Sequence, residues 1–270
     1  VTGAHRPPGA LATATQAGQP HFNAWVSLAS PHAVEAMAAA GFSSVTLDVQ
    51  HGFWTFGTLV EGIAAAALAK IPALVRLPLG GYGLGARALD AGATGLIAPM
   101  IDDAAEARLF ADAVKFPPDG RRSWGPNRGA RLSGLDRDGY VRGANALAPA
   151  FAMIETERAL ANVDAIARVH GVDGLYVGPN DLSVSLTGGS TVDPGHPTVA
   201  AALDSVLAAA SRAGKPAAIF ANTPAFAADY LRRGFAMVSL GSDLAFLRAG
   251  AERAIADTVD APAIGAGAGG

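Results

Sequence analysis

Glu155 closes the apolar run Phe151-Ala152-Met153-Ile154, and Asp181 follows Gly174-Leu175-Tyr176-Val177 after Gly178-Pro179-Asn180. Carboxylates that terminate consecutive short apolar strands can share a divalent ion of hard or intermediate character, Mg2+, Mn2+ or Co2+, and leave its other positions to a substrate. Each has a plainer reading alone: Glu155 suits a helix start, where the dipole favours negative charge, and Asp181 could cap the turn after Gly178-Pro179. Their joint placement favours metal binding. Arg76 ends the run Ala73-Leu74-Val75. A guanidinium there needs a carboxylate or an oxyanion to justify its desolvation, and the plainer alternative is an ion pair across the rim. Asp48 and His51 follow another such run, at a spacing that lets the carboxylate hold one imidazole nitrogen while the other acts as a base. Of the six histidines, only His51 is so placed. The three lysines, Lys70, Lys115 and Lys215, come at helix ends before strands or just before a long excursion, which argues against a Schiff-base lysine.

These residues act together only if the chain brings its strand ends to one mouth. Short β-branched or apolar runs alternate with Ala-rich stretches of helical spacing, the pattern of repeated βα units around a parallel sheet. Strands are expected at 23–28, 44–48, 73–76, 95–98, 151–154, 174–177, 217–220 and 237–240, and helices at 31–40, 58–69, 85–91, 104–114, 157–170, 197–213, 224–233 and 243–256. Gly41, Gly92, Gly171, Gly214 and Gly234 fall just past helical stretches, where a left-handed cap suits glycine. The chain has 270 residues, close to the roughly 250 of one eight-fold barrel. The expected fold class is therefore α/β, a (β/α)8 TIM barrel over 1–259, favoured over a doubly wound open sheet because the units run on without a domain break. A short extra helix at 9–17 and a disordered Ala/Gly-rich tail at 260–270 are expected at the ends. The segment 116–147, rich in Gly, Arg and Asp, is long for a connection and reads as a functional excursion. In a barrel of this kind the active site forms at the C-terminal ends of the strands, where Asp48, His51, Arg76, Glu155, Asn180 and Asp181 all fall.

Bulk properties narrow the partners. A net charge of −3 with scattered Lys and Arg offers no basic stripe for nucleic acid. The apolar stretches are short, far from the ~20 residues of a membrane span. The absence of Cys excludes disulfide scaffolds, thiolate zinc sites and cysteine nucleophiles. Val1 to Pro8 lack the basic start and apolar core of a signal peptide. A soluble, cytoplasmic protein that acts on small molecules is expected. Gly81-Tyr82-Gly83-Leu84-Gly85-Ala86, with Asp102 about 20 residues on, imitates a dinucleotide fingerprint. It belongs to the third βα unit rather than the first, Asp102-Asp103 reads as a helix cap, and no nucleotide cofactor is expected.

In order along the chain, Leu47-Asp48-Val49-Gln50-His51, Val75-Arg76, Ala98-Pro99-Met100, Pro117-Pro118-Asp119-Gly120-Arg121-Arg122, Ile154-Glu155-Thr156 and Gly171-Val172-Asp173-Gly174-Leu175-Tyr176-Val177-Gly178-Pro179-Asn180-Asp181-Leu182-Ser183 resemble the HpcH/HpaI aldolases, the class II, metal-dependent pyruvate aldolases. The resemblance covers residues 23–256, and the combination of Glu-Thr with Gly-Pro-x-Asp-Leu-Ser is its specific part. It implies that Glu155 and Asp181 hold the metal, that pyruvate chelates it through its keto oxygen and one carboxylate oxygen, and that the backbone at Asn180 and Asp181 receives the pyruvate carboxylate. By the same resemblance Arg76 contacts the keto oxygen and stabilises an enolate, while the dyad of Asp48 and His51 acts as base through a water molecule. The enolate then adds to an aldehyde to give a 4-hydroxy-2-oxoacid, or the reverse cleavage occurs. Arg122 is a further candidate contact for a substrate carboxylate. The resemblance also implies a homo-oligomer, trimer or hexamer, with the last helix, 243–256, exchanged between subunits.

The sequence departs from the family pattern in places. Gln50 stands where many members carry Glu, Gly80-Gly81-Tyr82-Gly83 replaces a more polar loop, and Trp124-Gly125-Pro126 interrupts 121–131. Gln50 removes a negative charge near the dyad and bears on base strength and metal electrostatics; the other two departures bear on the aldehyde pocket, so no natural acceptor is implied. Two other functions fit the same pattern: an acyl-CoA lyase from related barrels, which needs room and basic contacts for coenzyme A, and a catalytically silent barrel that binds an oxoacid.

Overall fold

The short apolar runs pair in sequence order. In the computed structural model, which describes residues 21–259, β1 (His21–Val26), β2 (Ser44–Asp48), β3 (Ala73–Arg76), β4 (Gly95–Ala98), β5 (Ala150–Ile154), β6 (Gly174–Val177), β7 (Ala217–Ala221) and β8 (Met237–Ser242) form a closed barrel. Every neighbouring pair is parallel, and β8 closes on β1. The expected (β/α)8 architecture is therefore present, with strand bounds displaced by no more than two residues from the sequence reading. The helix expected at 9–17 and the tail at 260–270 lie outside the described residues.

The helices are α1 (Pro31–Ala39), α2 (Phe56–Leu68), α3 (Tyr82–Ala91), α4 (Ala104–Val114), α5 (Asn127–Ser133), α6 (Arg137–Leu147), α7 (Glu157–Ala161), α8 (Val163–Ala167), α9 (Pro179–Leu186), α10 (Pro197–Arg212), α11 (Pro224–Arg233) and α12 (Asp243–Val259). Local chemistry sets their limits. Asp103 caps α4 by accepting from the N–H groups of Ala105 and Glu106, and all five expected cap glycines have positive φ. The core is the layer between helices and strands. On α10, Val199, Ala202, Leu203 and Val206 recur at helical spacing and are fully or almost fully buried against the sheet. Among the described residues no helix is long and apolar enough to cross a membrane.

Three features differ from the sequence reading. The single helix expected at 157–170 breaks at Asn162, whose side chain donates to the carbonyls of Asp102 and Arg158. A helix not expected, α9, begins at Pro179, a residue suited to a first helical turn because its missing N–H is not needed there. The 116–147 excursion contains α5 and α6 and follows a helix rather than a strand, so it lies at the end of the barrel opposite the strand C-termini. Lys115, at its base, donates to the carbonyls of Asn145 and Ala148 and pairs with Asp173, all just ahead of β5 and β6. It does not reach the mouth of its own barrel.

Inside the barrel the inward positions are unequal. Leu74, Ile97, Phe151 and Met153 make an apolar wall from β3 to β5. The β8, β1 and β2 side is polar. Tyr176 donates its hydroxyl proton to Ser239 at 2.7 Å, and Ser239 and Thr46 both donate to Asn23 Oδ1 at 2.8 Å. Asn23 Nδ2 donates to Ser44 Oγ, which also lies 2.8 Å from His21 Nε2. Buried polar groups tied this fully rigidify a core rather than weaken it. On the outside, α12 leaves Leu244, Leu247, Ile255 and Val259 exposed.

Candidate active site

Adjacent register brings the first two functional side chains together. Asp48 stands opposite Arg76 in the β2–β3 ladder, and the guanidinium grips the carboxylate at both ends, Nε to Oδ1 at 2.8 Å and Nη2 to Oδ2 at 2.6 Å. Both residues are buried. The backbone N–H groups of Gln50 and His51 also donate to Oδ1, and the Trp25 indole N–H donates to Oδ2. Burial alone would raise the Asp48 pKa; the Arg76 hydrogen bonds and charge, with the His51 N–H and the Trp25 indole, outweigh it and hold the carboxyl below its ordinary value.

This corrects one expectation. Asp48 does not hold the His51 imidazole: its oxygens are taken by Arg76, Trp25 and two backbone groups, and His51 reaches it only through its main chain. The imidazole is exposed and lines the mouth with Arg76, Asn180 and Asp181. Trp25, Met153 and Phe220 also line the mouth.

Glu155 lies just beneath this surface, 3% exposed. Its Oε1 accepts the Met100 N–H at 2.7 Å. Met100 adopts φ 53° to present that N–H, a left-handed conformation costly for a residue with a side chain. Glu155 Oε2 is accommodated by Gly178, where a Cβ would sit 2.4 Å from it. Burial, opposed by the Met100 hydrogen bond and reinforced by the nearby charge of Asp181, raises the Glu155 pKa to about 7. Asp181 is in the first turn of α9 and is exposed. That helix opens its ladder with Leu182 N–H to the Gly178 carbonyl, so the N–H groups of Asn180 and Asp181 are among those a helix start leaves without intrahelical partners. They suit an anion. The Asn180 and Asn222 side chains exchange amide hydrogen bonds at the rim.

A divalent ion fits this donor set as a two-carboxylate centre. Its charge would relieve both the desolvation and the mutual repulsion that raise Glu155. Among the described residues there is no group of three or more His, Cys, Asp or Glu arranged to enclose a metal, so substrate and water would complete the coordination.

Arg122 does not join the site. Its Nη2 donates to Asp90 at 2.6 Å and its guanidinium stacks 4.5 Å from the Phe116 ring centroid, within the excursion at the far end of the barrel. The lysines are equally remote: Lys215 donates to the carbonyls of Ala167 and Val169, ahead of β6. The sequence reading singled out neither Trp25, nor Gly178 as the space-maker for Glu155, nor the strained Met100. For Trp25 a signal existed, an aromatic at the inward end of β1.

The arrangement of a carboxylate pair, a compensated arginine and a helix start on the C-terminal rim has relatives. Residues 21–249 match the family model described as HpcH/HpaI aldolase/citrate lyase. The chain belongs to that family. A hydroxypyruvate/pyruvate aldolase from Rhizorhabdus wittichii is 37% identical over 240 residues, 89% of this chain and 94% of the relative. A 5-keto-4-deoxy-D-glucarate aldolase from Escherichia coli is 32% identical, over 93% of this chain and 96% of its own. The crystal structure of an HpcH/HpaI aldolase/citrate lyase family protein from Burkholderia cenocepacia matches with TM-score 0.84 and 32% identity, covering 94% of this chain and all of that one. The family match over residues 21–249 takes in every site residue above.

Proposed function

We propose that the protein is a divalent-metal-dependent aldolase that joins pyruvate, or a similar 2-oxoacid, to an aldehyde and cleaves the resulting 4-hydroxy-2-oxoacid. The observation that carries this reading is the buried Glu155 carboxylate beneath Gly178, raised to about 7 beside Asp181 and next to the open N–H groups of α9. Glu155 and Asp181 would hold Mg2+, Mn2+ or Co2+. When bound, the ion supplies Lewis-acid polarisation of the oxoacid and so acidifies its methyl group.

The chain's own residues do the rest. The N–H groups of Asn180 and Asp181 receive the oxoacid carboxylate. Arg76, its Nε and Nη2 committed to Asp48, turns its remaining Nη1 donors to the keto oxygen, where negative charge develops as the methyl proton leaves. His51, exposed on the mouth, takes that proton. The nucleophilic carbon forms its bond to the aldehyde carbon as the aldehyde C=O π pair moves to its oxygen, and the proton held by His51 passes to that oxygen to give the new hydroxyl. Trp25, Met153 and Phe220 give the acceptor an apolar wall.

The acyl-CoA lyase reading lacks support, because among the described residues Arg76 is the only lysine or arginine lining the mouth. The test is proton NMR of pyruvate in D2O with metal-stripped protein, before and after Mg2+, Mn2+ or Co2+. Metal-dependent loss of the methyl signal is expected; its absence with all three ions would sink the pyruvate assignment and favour an oxoacid-binding barrel.

The exposed apolar residues of α12 support the homo-oligomer, trimer or hexamer, with that helix covered by a neighbouring subunit. Light scattering that returned a monomer at working concentration would remove this part of the reading.

A further inference from the structure

We infer that Trp25 is a positioning residue for this reaction: it clamps the Asp48–Arg76 pair from two sides so that one edge of the guanidinium is held towards the substrate. The inference rests on the aldolase reading for its consequence in turnover, but not for its geometry.

The indole N–H donates to Asp48 Oδ2 at 3.1 Å, the same oxygen that accepts Arg76 Nη2. The indole face lies under the other half of the pair, with Arg76 Cζ 4.7 Å from the ring centroid. One side chain thus touches both members of the ion pair, by hydrogen bond to the anion and by cation–π contact to the cation. A carboxylate oxygen offers about two lone pairs. Oδ2 is filled by Arg76 and Trp25, and Oδ1 by Arg76 with the two backbone donors. The carboxylate has no freedom to turn, so neither has the guanidinium that spans it.

Trp25 is itself fixed by the barrel interior and not by a loop. Its ring is tilted against Tyr176 with centroids 5.9 Å apart and meets Phe220 edge-on at 5.5 Å. Tyr176 is anchored in turn through its hydroxyl to Ser239. The site's arginine is therefore aligned by the polar column of the core.

The plainer role for Trp25 is to fill the top of the core, and the Trp25→Phe variant separates the two. Phenylalanine keeps an aromatic face and most of the bulk but removes the N–H. Two measurements are made on this variant and the wild type: pyruvate methyl exchange with metal, resolved into kcat and KM, and hydrogen exchange of the Arg76 Nε–H by 15N NMR on metal-free protein, assigned with Arg76→Lys. A hydrogen bond to a charged group is worth enough that its loss should lower kcat about tenfold or more with KM changed by less than about twofold, and should speed Nε–H exchange by at least about tenfold. Unchanged kcat, or a fall in kcat that tracks a loss of thermal stability while Nε–H exchange stays as in the wild type, overturns the positioning role. If the wild type shows no methyl exchange but Trp25→Phe still frees the Arg76 Nε–H, the aldolase reading fails and the clamp stands.

Discussion

Glu155→Ala is expected to abolish metal-dependent exchange of the pyruvate methyl protons while the barrel stays folded. Loss of an outer-shell partner commonly costs 10–100-fold in metal affinity, and loss of one of only two protein ligands should cost more than about a hundredfold, read as Mn2+ affinity by EPR. The same residue predicts a pH signature. Its folded pKa of about 7 lies above the ordinary 4.5, so folding takes up a proton. The stability of the metal-free protein is then least penalised below the unfolded value and falls as pH rises through about 7, by about 3 kcal/mol for this group alone. Glu155→Gln keeps an acceptor for the Met100 N–H without the charge. It should raise the melting temperature of metal-free protein at about pH 8 and change it little at about pH 5. Equal shifts at both values would remove the buried charge as the cause. Divalent ions compete with this proton, so their affinity should weaken as pH drops below about 7. Metal affinity retained in Glu155→Ala would take Glu155 out of the centre altogether.

The second large effect is expected at Arg76. Removing one oxyanion donor typically costs on the order of 10²–10³ in rate, and Arg76→Ala should lose at least that much in kcat for methyl exchange. A second consequence must be separated from it. The alanine leaves Asp48 buried without its counter-ion, and breaking a buried pair costs about 3–5 kcal/mol. Arg76→Lys restores a charge but not the two-point grip on Asp48, so it should recover stability more than turnover. Folded Arg76→Ala with wild-type kcat would remove Arg76 from the chemistry and leave it a structural ion pair, the plainer reading open from sequence.

The barrel was legible because one unit is written repeatedly: an apolar run, a polar strand end, a helical stretch, a glycine. The placement of Glu155 and Asp181 at the C-terminal end of the barrel was legible for the same reason, since position within the unit assigns a residue to one end. What failed was partner choice. Asp48 is three residues from His51 in the chain but directly across a ladder from Arg76, and the nearer residue in sequence is not the nearer side chain. The excursion was assigned to function on its length and charge, although its place between a helix and a strand puts it at the opposite end; Arg122 went with it. Helix α9 was hidden because Gly178-Pro179 resembles a turn, and proline at a helix start looks the same in sequence as proline ending one. For Trp25 the signal was only an aromatic at the inward end of β1, because its use depends on what the barrel's closure sets beside it.

The polar side of the interior also bears on how that closure is chosen. A strand that slips by one residue turns its buried face outward and is rejected by alternation alone, whereas a slip of two residues preserves alternation. Patterning cannot discriminate against it. Between β8 and β1, where the pairing already shifts register between Asn23 and Trp25, a two-residue slide would carry Ser239 away from Asn23 and Tyr176 and strand two hydroxyls, those of Ser239 and Tyr176, without partners. Each such buried group costs about 1–3 kcal/mol, a large share of the margin by which a domain is stable. Asn23, Ser239 and Tyr176 thus act as a key for the seam: the ring can shut in one alignment, and that alignment is the one that sets Trp25 beneath the arginine.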